Sequence, residues 1–201
     1  MDIAIASVGL ILFSPVMILC ALLVKLTSKG PAFFKQERVG LNFRPFQILK
    51  FRSMVVGAPK LGAAVTVDGD PRITTIGRLM RKSKLDELPQ LFNVLKGDMS
   101  LVGPRPEVPE YVHLFQRDYQ ELLSVRPGIT DISSITYRYE EEILAAAEDP
   151  REAYISEVLP AKIELGKSYI ERSSVLIDLK LIFITAGRVF GLFKNSAVSG
   201  I

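Results

Sequence analysis

Two adjacent carboxylates, Asp86 and Glu87, follow the most basic part of the sequence. Basic side chains come immediately before them, at Arg78, Arg81, Lys82 and Lys84. Positive charge close to a carboxyl group favours its ionised form, and both a nucleophilic carboxylate and a magnesium ligand must be ionised. The residue types therefore indicate chemistry on an anionic, phosphorylated substrate.

Arg105 belongs to a second motif, Gly103-Pro104-Arg105-Pro106, in which the prolines exclude a helix. An arginine in a rigid turn suits phosphate recognition, because its planar guanidinium donates two parallel hydrogen bonds. The Asp-Glu pair also has a purely structural interpretation. Acidic residues ahead of a helix that starts near Pro89 complement the helix dipole, and Ser83 with Asp86 fits a capping box. For the pair on its own, this structural interpretation is the stronger one.

Composition and charge narrow the class of protein. The 201 residues suit one domain, and an apolar content of 48% excludes disorder throughout the chain. One cysteine, Cys20, excludes a disulfide-built scaffold, and one histidine, His113, excludes a histidine-rich metal site. Residues 25–84 contain 13 Lys and Arg against three acidic residues, whereas residues 85–201 contain 12 against 18. The basic segment indicates lipid head groups, nucleic acid or a phosphorylated substrate as partner, or else a solvated basic face.

Residues 3–24 form an uncharged apolar run. As a helix the run would be about 33 Å long, enough to cross a hydrocarbon core of about 30 Å. It lacks the basic start and the cleavage site of a signal peptide, and the basic residues after it predict a cytoplasmic location for the rest. Ser14-Pro15 interrupts the run, although the Ser14 hydroxyl can bond a freed backbone group. Three forms remain open: a kinked transmembrane helix, a helix-break-helix hairpin that enters and leaves by the same face, and a buried core helix.

The rest of the sequence predicts a mostly helical α+β domain. Residues 32–36 and 46–51 are predicted to form a hairpin across Gly40-Leu41-Asn42, and residues 57–72 a loop. Helices are predicted over 76–82, over 88–95 with Gly97 as cap, over 108–123, and over 140–164 with interruptions at Asp149-Pro150 and Pro160. Residues 175–193 are apolar enough to lie at a bilayer interface, against a partner helix or inside the domain.

Four stretches of the sequence together resemble a known family. They are Asp70-Pro71-Arg72-Ile73-Thr74, Leu85-Asp86-Glu87-Leu88-Pro89-Gln90, Val102-Gly103-Pro104-Arg105-Pro106 and Arg126-Pro127-Gly128-Ile129-Thr130. On these residues the chain resembles the bacterial sugar transferases, and among them the small monotopic phosphoglycosyl transferases. The likeness extends over nearly the whole chain, including Ser14-Pro15 and Asp178-Leu179-Lys180. Its central motif is long and specific.

The resemblance implies a fold and a reaction. The fold is an N-terminal re-entrant membrane hairpin over residues 1–28, then a cytoplasmic catalytic domain over residues 29–201 with interfacial amphipathic helices and a small β-hairpin. The reaction is the Mg²⁺-dependent transfer of a sugar-1-phosphate from a UDP-sugar to undecaprenyl phosphate, with release of UMP, as the first membrane step of glycoconjugate assembly. The implied location is the cytoplasmic face of the bacterial inner membrane, with downstream glycosyltransferases as further partners.

The resemblance also implies roles for individual residues. Asp86 is expected to attack the β-phosphate as a nucleophile, giving a covalent phosphosugar-aspartate in a ping-pong pathway, and to contact Mg²⁺. Glu87 is expected to act as its catalytic partner. Four basic residues are expected to bind substrate phosphates, and they are Lys50, Arg52, Arg81 and Arg105. Ser14 and Pro15 are expected to mark the membrane break.

Two features depart from the family pattern. Where many relatives continue with Gly-Trp-Ala-Gln after Pro-Gly-Ile-Thr, this chain has Asp131-Ile132-Ser133-Ser134 and contains no tryptophan. This departure leaves the choice of UDP-sugar open. The chain also starts at Met1-Asp2, without basic residues ahead of the hairpin and without the extra transmembrane helices of larger relatives. A minimal catalytic form is therefore expected.

Two other functions fit parts of the sequence. The basic segment suits a membrane-tethered nucleic-acid-binding protein, but carboxylates within it would repel a nucleic-acid backbone. A non-catalytic scaffold would use only the apolar segments, yet the sequence retains Asp86, Glu87 and the Pro-Arg-Pro turn. The partners that the resemblance implies are a UDP-sugar, undecaprenyl phosphate and membrane lipids, and no nucleic acid is expected as a partner.

Overall fold

Helix α1, Asp2–Thr27, is the first element of the computed structural model, which describes residues 1–62 and 65–189. The helix continues through Pro15, although proline has no N–H to donate to the carbonyl of Ile11. The Ser14 hydroxyl donates to that carbonyl at 2.8 Å and so replaces the missing hydrogen bond, as expected. The expected division of this segment into two arms is not present, because the helical backbone runs on through Pro15.

One side of α1 packs against the rest of the protein. Ala6 is buried with Val94 and Leu101, and near the other end of α1, Val24 is buried with Phe51. The large apolar side chains that α1 exposes are Ile3, Ile5, Val8, Ile11, Leu12, Ile18, Leu19, Leu22 and Leu26. Among the described helices, α1 has the length and apolar composition that suit a membrane. We call the exposed set the outer face of α1.

Strands β1, Phe33–Val39, and β2, Pro45–Phe51, form the predicted antiparallel hairpin across Gly40-Leu41-Asn42. Alternate residues of a strand lie on the same face of a sheet. The register therefore places Arg38 of β1 and Lys50 of β2 on one face. This face carries two cations that belong to the networks described below.

Strands β3, Ser100–Val102, and β4, Gly128–Thr130, pair in parallel. Their ends approach so closely that a Cβ atom on Gly128 would lie 2.1 Å from the amide nitrogen of Gly103. Side chains larger than glycine cannot be placed at such a contact. The Pro-Arg-Pro turn, which follows Gly103, is therefore held beside β4.

Helices α2, Thr75–Lys82, and α3, Gln90–Lys96, confirm two predicted helices. Gly97 ends α3 with a φ of 80°, which confirms the predicted left-handed cap. The capping-box interpretation of Ser83 is wrong. Ser83 closes α2 instead, because its hydroxyl donates backwards to the carbonyl of Leu79 at 2.8 Å.

The C-terminal half is mainly helical. Its elements are α4 Pro109–Leu114, α5 Gln116–Leu122, α6 Ile132–Thr136, α7 Glu140–Ala145, α8 Pro150–Ala153, a π-helical turn Tyr154–Val158, α9 Leu159–Arg172 and α10 Val175–Val189. The predicted single helix over 108–123 is wrong, because the backbone leaves the helical region at Phe115. Tyr111 and Tyr119, on either side of the interruption, belong to the same buried cluster.

Of the two predicted interruptions in residues 140–164, the structure contains one. The interruption at Asp149-Pro150 is present, with the Asp149 side chain capping α8. At Pro160 the chain stays helical, because this proline lies in the first turn of α9, where no N–H is needed.

Helix α10 buries Leu181 and exposes Phe183, so it is partly core and partly surface. Residues 190–193 of the predicted apolar segment lie outside the described residues.

The elements form a mostly helical α+β fold around three buried clusters. One cluster joins α4, α5, α9 and the π-helical turn. A second joins the start of α1 to α3, β3 and α10, and a third joins the later part of α1 to β2 and α2. The link between α2 and α3, which carries the two carboxylates, therefore lies where the second and third clusters meet.

Candidate active site

Asp86 and Glu87 lie in a 3₁₀ turn, Leu85–Glu87, between α2 and α3. Lys84 enters this turn with a left-handed φ of 57°, so the chain changes direction just before the carboxylates. Only 5% of Asp86 and 9% of Glu87 is exposed. Burying a charge is costly unless a partner compensates it, so the partners decide what each carboxylate can do.

Glu87 is the paired carboxylate. Its Oε1 accepts hydrogen bonds from Lys50 Nζ at 2.9 Å and from the Arg105 guanidinium, which also contacts Oε2 at 3.4 Å. Burial by itself would raise the pKa of Glu87, but the charges of Arg105 and Lys50 hold this pKa well below its usual range. Glu87 is thus a fixed negative charge between two expected phosphate-binding cations.

Asp86 is the unpaired carboxylate. Its Oδ1 is buried and has no hydrogen-bond partner within the part of the chain that the structure describes. Burial raises the pKa of Asp86, and the charge of Glu87 raises it further. The basic neighbours were expected to favour ionised Asp86, and the net effect is the opposite because burial and the charge of Glu87 outweigh the charges of Lys50, Lys84 and Arg81.

Arg81 lies in the last turn of α2 and pairs with the Glu141 carboxylate of α7. Its Nε is buried without a partner among the described residues. The charge of Arg81 is one of those that oppose the effect of burial on the pKa of Asp86. Arg81 therefore belongs to the surroundings of Asp86, with a carboxylate already on its guanidinium.

Arg52 was expected to bind substrate phosphate, but in the structure its guanidinium binds backbone carbonyls. Its three guanidinium nitrogens donate to the backbone carbonyls of Pro31, Lys29 and Ser28 at 2.7, 2.8 and 3.0 Å. These carbonyls follow the end of α1, where helical hydrogen bonding stops and acceptors are left unpaired. The contacts assign Arg52 to holding the chain between α1 and β1, rather than to the group around Asp86.

Two further residues affect the site: Lys84, which was predicted only as a basic neighbour of the carboxylates, and Glu141, which was not predicted. Lys84 opposes the effect of burial on the pKa of both Asp86 and Glu87. The signal for Lys84 was its place in the basic run directly before the carboxylates. Glu141 gave no such signal, because it lies in an acidic helical segment 60 residues from the arginine that it binds.

Asp131, the first residue of the departure from the family pattern, lies behind the Pro-Arg-Pro turn. It is 3% exposed, and its Oδ1 caps α6 by accepting the backbone N–H of Ser134 at 2.8 Å. The charge of Glu87, followed by that of Asp131, raises the pKa of Arg105. Asp131 thus adds negative charge near Arg105 while its own oxygens serve the local fold.

Asp86 also has the chemistry of a magnesium ligand. Mg²⁺ is commonly held by one or two carboxylates together with substrate phosphates. The unpartnered Oδ1 of Asp86 fits that arrangement, whereas Glu87 is committed to Lys50 and Arg105. Among residues 1–62 and 65–189, no three acidic, histidine or cysteine side chains form a group that could hold an ion without substrate.

The sequence matches known proteins over most of its length. Residues 1–192 match the model of the bacterial sugar transferase family. The UDP-N-acetylgalactosamine-undecaprenyl-phosphate N-acetylgalactosaminephosphotransferase of Aeromonas hydrophila is 44% identical over 188 residues, which are 92% of this chain and 41% of that protein. The UDP-glucose:undecaprenyl-phosphate glucose-1-phosphate transferase of Escherichia coli is 38% identical over 200 residues, 98% of this chain and 40% of that protein.

A shorter relative is covered more completely. The exopolysaccharide production protein ExoY of Rhizobium meliloti is 32% identical over 199 residues, which are 92% of this chain and 81% of that protein. By contrast, the chain spans about two-fifths of the length of the Aeromonas and Escherichia relatives. With the family match over residues 1–192, these similarities show that the chain belongs to the bacterial sugar transferase family.

Proposed function

We propose that this chain transfers a sugar-1-phosphate from a UDP-sugar to undecaprenyl phosphate and releases UMP. The observation that carries the proposal is the pair of buried carboxylates, in which Asp86 keeps a free oxygen while Glu87 is held by Lys50 and Arg105. The Aeromonas and Escherichia relatives, whose names give undecaprenyl phosphate as the acceptor, support this reaction.

In the first step, a carboxylate oxygen of Asp86 attacks the β-phosphorus of the UDP-sugar. A bond forms between this oxygen and phosphorus, and the bond from the β-phosphorus to the bridging oxygen breaks. UMP leaves with the bridging oxygen and its electron pair. The product on the protein is a phosphosugar-aspartate, so that one difficult transfer is divided into two displacements.

In the second step, a phosphate oxygen of undecaprenyl phosphate attacks the same phosphorus. The bond to Asp86 breaks and returns the carboxylate, and the lipid carries the sugar through a new diphosphate. Because the acceptor phosphate stays in the head-group layer, both steps take place at the membrane surface. The product is the starting lipid for glycoconjugate assembly by downstream glycosyltransferases.

Glu87 serves this reaction by keeping two cations in place. Its fixed negative charge holds Lys50 and Arg105 within a buried region, where they can contact the phosphate that is being transferred. Arg81 is the third cation for substrate phosphate, once its guanidinium exchanges Glu141 for substrate. Preplaced cations stabilise charge that develops in the transition state without the cost of reorganising solvent.

Asp86 is the residue that would hold Mg²⁺, together with oxygens of the substrate diphosphate. Bound there, the ion would withdraw charge from the diphosphate oxygens and favour release of UMP. Asp86 must be ionised both for this contact and for attack. In the protein without substrate, burial and the charge of Glu87 disfavour the ionised form of Asp86.

α1 is proposed as a same-face anchor on the cytoplasmic side of the bacterial inner membrane. Its Ala6 and Val24 ends both pack against the protein body, so its two ends cannot lie on opposite sides of a core of about 30 Å while both contacts remain. The outer face of α1 supplies the apolar surface that would enter the bilayer. The competing form is a kinked span that places Met1 in the periplasm.

The test uses detergent-solubilised protein with undecaprenyl phosphate, Mg²⁺ and a panel of UDP-sugars. Release of UMP with one or more of the sugars is expected and identifies the donor, which the proposal leaves open. Intact-protein mass spectrometry after exposure to that UDP-sugar alone should detect a phosphosugar adduct. Absence of UMP release with every sugar would contradict the proposed reaction and favour a non-catalytic scaffold or a nucleic-acid-binding role.

A further inference from the structure

A second buried carboxylate, Glu107, follows the Pro-Arg-Pro turn and has no place in the proposed reaction. Only 8% of Glu107 is exposed. Its Oε1 accepts hydrogen bonds from Arg38 Nη1 at 2.9 Å and from the backbone N–H of Val108 at 3.0 Å. Its Oε2 accepts a hydrogen bond from the Tyr154 hydroxyl at 2.8 Å. Both oxygens of this carboxylate are therefore engaged within the protein.

Arg38 also holds the backbone of the turn. The same Nη1 donates to the carbonyl of Pro106 at 3.0 Å. On the other side of the turn, the N–H of Gly128 donates to the carbonyl of Pro104 at 3.0 Å. The two prolines that flank Arg105 have no N–H groups, so the turn depends on contacts to its carbonyls. These contacts connect it to the hairpin on one side and to β4 on the other.

One face of the β1–β2 hairpin therefore makes two contacts with the site. Lys50 contacts Glu87 directly, and Arg38 contacts the turn through Glu107 and Pro106. Because both cations belong to one rigid hairpin, the position of the turn is fixed relative to Glu87.

Tyr154 is the third member of the Glu107 cluster. It opens the π-helical turn, an uncommon element that changes the direction of side chains and is frequent at functional sites. The Lys162 ammonium lies 5.1 Å from the centre of the Tyr154 ring and pairs with Glu140 at 2.8 Å. With 4% of Tyr154 exposed, these contacts fix its hydroxyl toward Glu107.

We propose that Glu107, held by Arg38 and Tyr154, is a positioning residue that sets the Pro-Arg-Pro turn so that Arg105 meets Glu87 and the substrate phosphate. The assignment rests on the proposed function, since it takes Arg105 as a phosphate ligand. Glu107 acts only through Arg105. Displacing a substrate-binding group by about 1 Å can cost about 100-fold in rate, so the placement of this turn has a large effect.

A double-mutant cycle separates positioning from a general structural role. Glu107→Gln keeps the size of the side chain, but it removes the charge that pairs with Arg38 and replaces one of the two accepting oxygens by an NH2 donor. With Arg105 present, Glu107→Gln should lower kcat for UMP release by about tenfold or more and weaken UDP binding by calorimetry. In an Arg105→Ala background the same substitution should change either quantity by no more than about twofold.

Melting temperatures of the same four proteins give a readout that needs no substrate. Glu107→Gln should lower the melting temperature less when Arg105 is already alanine. In that background the turn no longer carries the guanidinium that pairs with Glu87, so its exact position affects stability less. Tyr154→Phe removes the hydrogen bond that the hydroxyl donates to Glu107 and the longer one that it accepts from Lys162. It should show the same dependence on Arg105 with a smaller effect. Arg151→Ala is the matched control, since it breaks the half-exposed Arg151–Glu110 pair and should leave all readouts unchanged.

Equal losses in both backgrounds, in kcat and in melting temperature alike, would overturn the positioning role. A wild-type protein that neither binds UDP nor releases UMP would contradict the proposed function instead. In that event, non-additive melting temperatures would still support the placement of Arg105 by Glu107, and additive ones would refute it.

Discussion

Asp86 and Glu87 are neighbours in sequence, but their environments push the pKa values of the two carboxyl groups in opposite directions. Burial raises the pKa of Asp86, whereas Arg105 and Lys50 more than offset burial at Glu87. Titratable pairs of this kind are typical of sites in which the two members have different tasks. Here Asp86 keeps a free oxygen, whereas Glu87 is a fixed charge that holds two cations.

At the residue scale, Asp86→Asn should abolish UMP release while leaving the fold intact. An amide has nearly the same size as the carboxylate, but it cannot act as the nucleophile toward phosphorus. The measurements are UMP release and intact-protein mass after exposure to the UDP-sugar, with loss of the adduct expected. Glu110→Gln, at a half-exposed carboxylate, is the control and should retain activity. Retention of more than a few per cent of UMP release by Asp86→Asn would refute the covalent step.

The two carboxylate substitutions should have opposite effects on stability. Glu87→Gln leaves Lys50 and Arg105 without their buried partner and should cost about 3 kcal/mol or more of unfolding free energy, besides crippling the enzyme. Asp86→Asn removes an unpaired buried charge that Glu87 repels, so it should leave the melting temperature unchanged or raise it. A similar fall for both variants would argue against the unequal pairing.

Both stability differences should depend on pH, with signs set by the pKa shifts. The Glu87 pKa is lowered on folding, so its contribution is full above its unfolded value of about 4.3 and is lost as pH falls through the folded pKa. The Asp86 pKa is raised, so ionised Asp86 costs stability above its folded pKa, and the advantage of Asp86→Asn should disappear below about pH 3.9. Melting curves of both variants and the wild type across this pH range test the two signs.

Arg105→Ala should cost about 2–4 kcal/mol of transition-state stabilisation if its guanidinium binds the transferred phosphate. Arg105→Lys should restore only part of the loss, because an ammonium lacks the planar fork that engages two oxygens. Values of kcat/KM for UMP release provide the measurement. Full activity of Arg105→Ala would limit this residue to a structural part in the Pro-Arg-Pro turn.

At the scale of elements, the orientation of α1 can be tested by labelling. Asp2→Cys, in a Cys20→Ser background, should resist a membrane-impermeant maleimide in intact cells and react once the cells are opened. The physical reason is that both ends of α1 pack against the protein body. Lys29→Cys in the same background is the control, since both topologies place it in the cytoplasm. Labelling of position 2 in intact cells would establish the kinked span.

The sequence predicted the elements whose ends are set by residues close to them in the chain. The β1–β2 hairpin follows from two short strand-forming stretches on either side of Gly40-Leu41-Asn42, and the end of α3 follows from Gly97. The interruption at Phe115 could not be read from the sequence, because no proline or glycine marks it. The continuation of α1 through Pro15 is supported by the Ser14 hydroxyl, which donates to the carbonyl of Ile11. The sequence does not specify the rotamer that points this hydroxyl toward that carbonyl.

At the scale of the whole molecule, the sequence predicted which residues form much of the site but not how they are paired. Spacing and motif identified Asp86, Glu87 and Arg105. Which carboxylate takes the cations depends on Lys50, which reaches Glu87 across 37 residues of sequence. Arg52 lies two residues after Lys50, yet it serves the carbonyls after α1, because unpaired acceptors there compete for the guanidinium. Such competition is decided by tertiary structure.

The ion pairs at Glu87 also set the order in which this protein can mature. The three charged groups come from segments separated by 37 and 18 residues, and all must leave the ribosome before the cluster can close. The apolar helix α1 emerges well ahead of them, since chains are made from the N-terminus at about 5–20 residues per second. In a nascent chain the apolar surface of α1 is therefore exposed before Lys50, Glu87 and Arg105 can form their ion pairs.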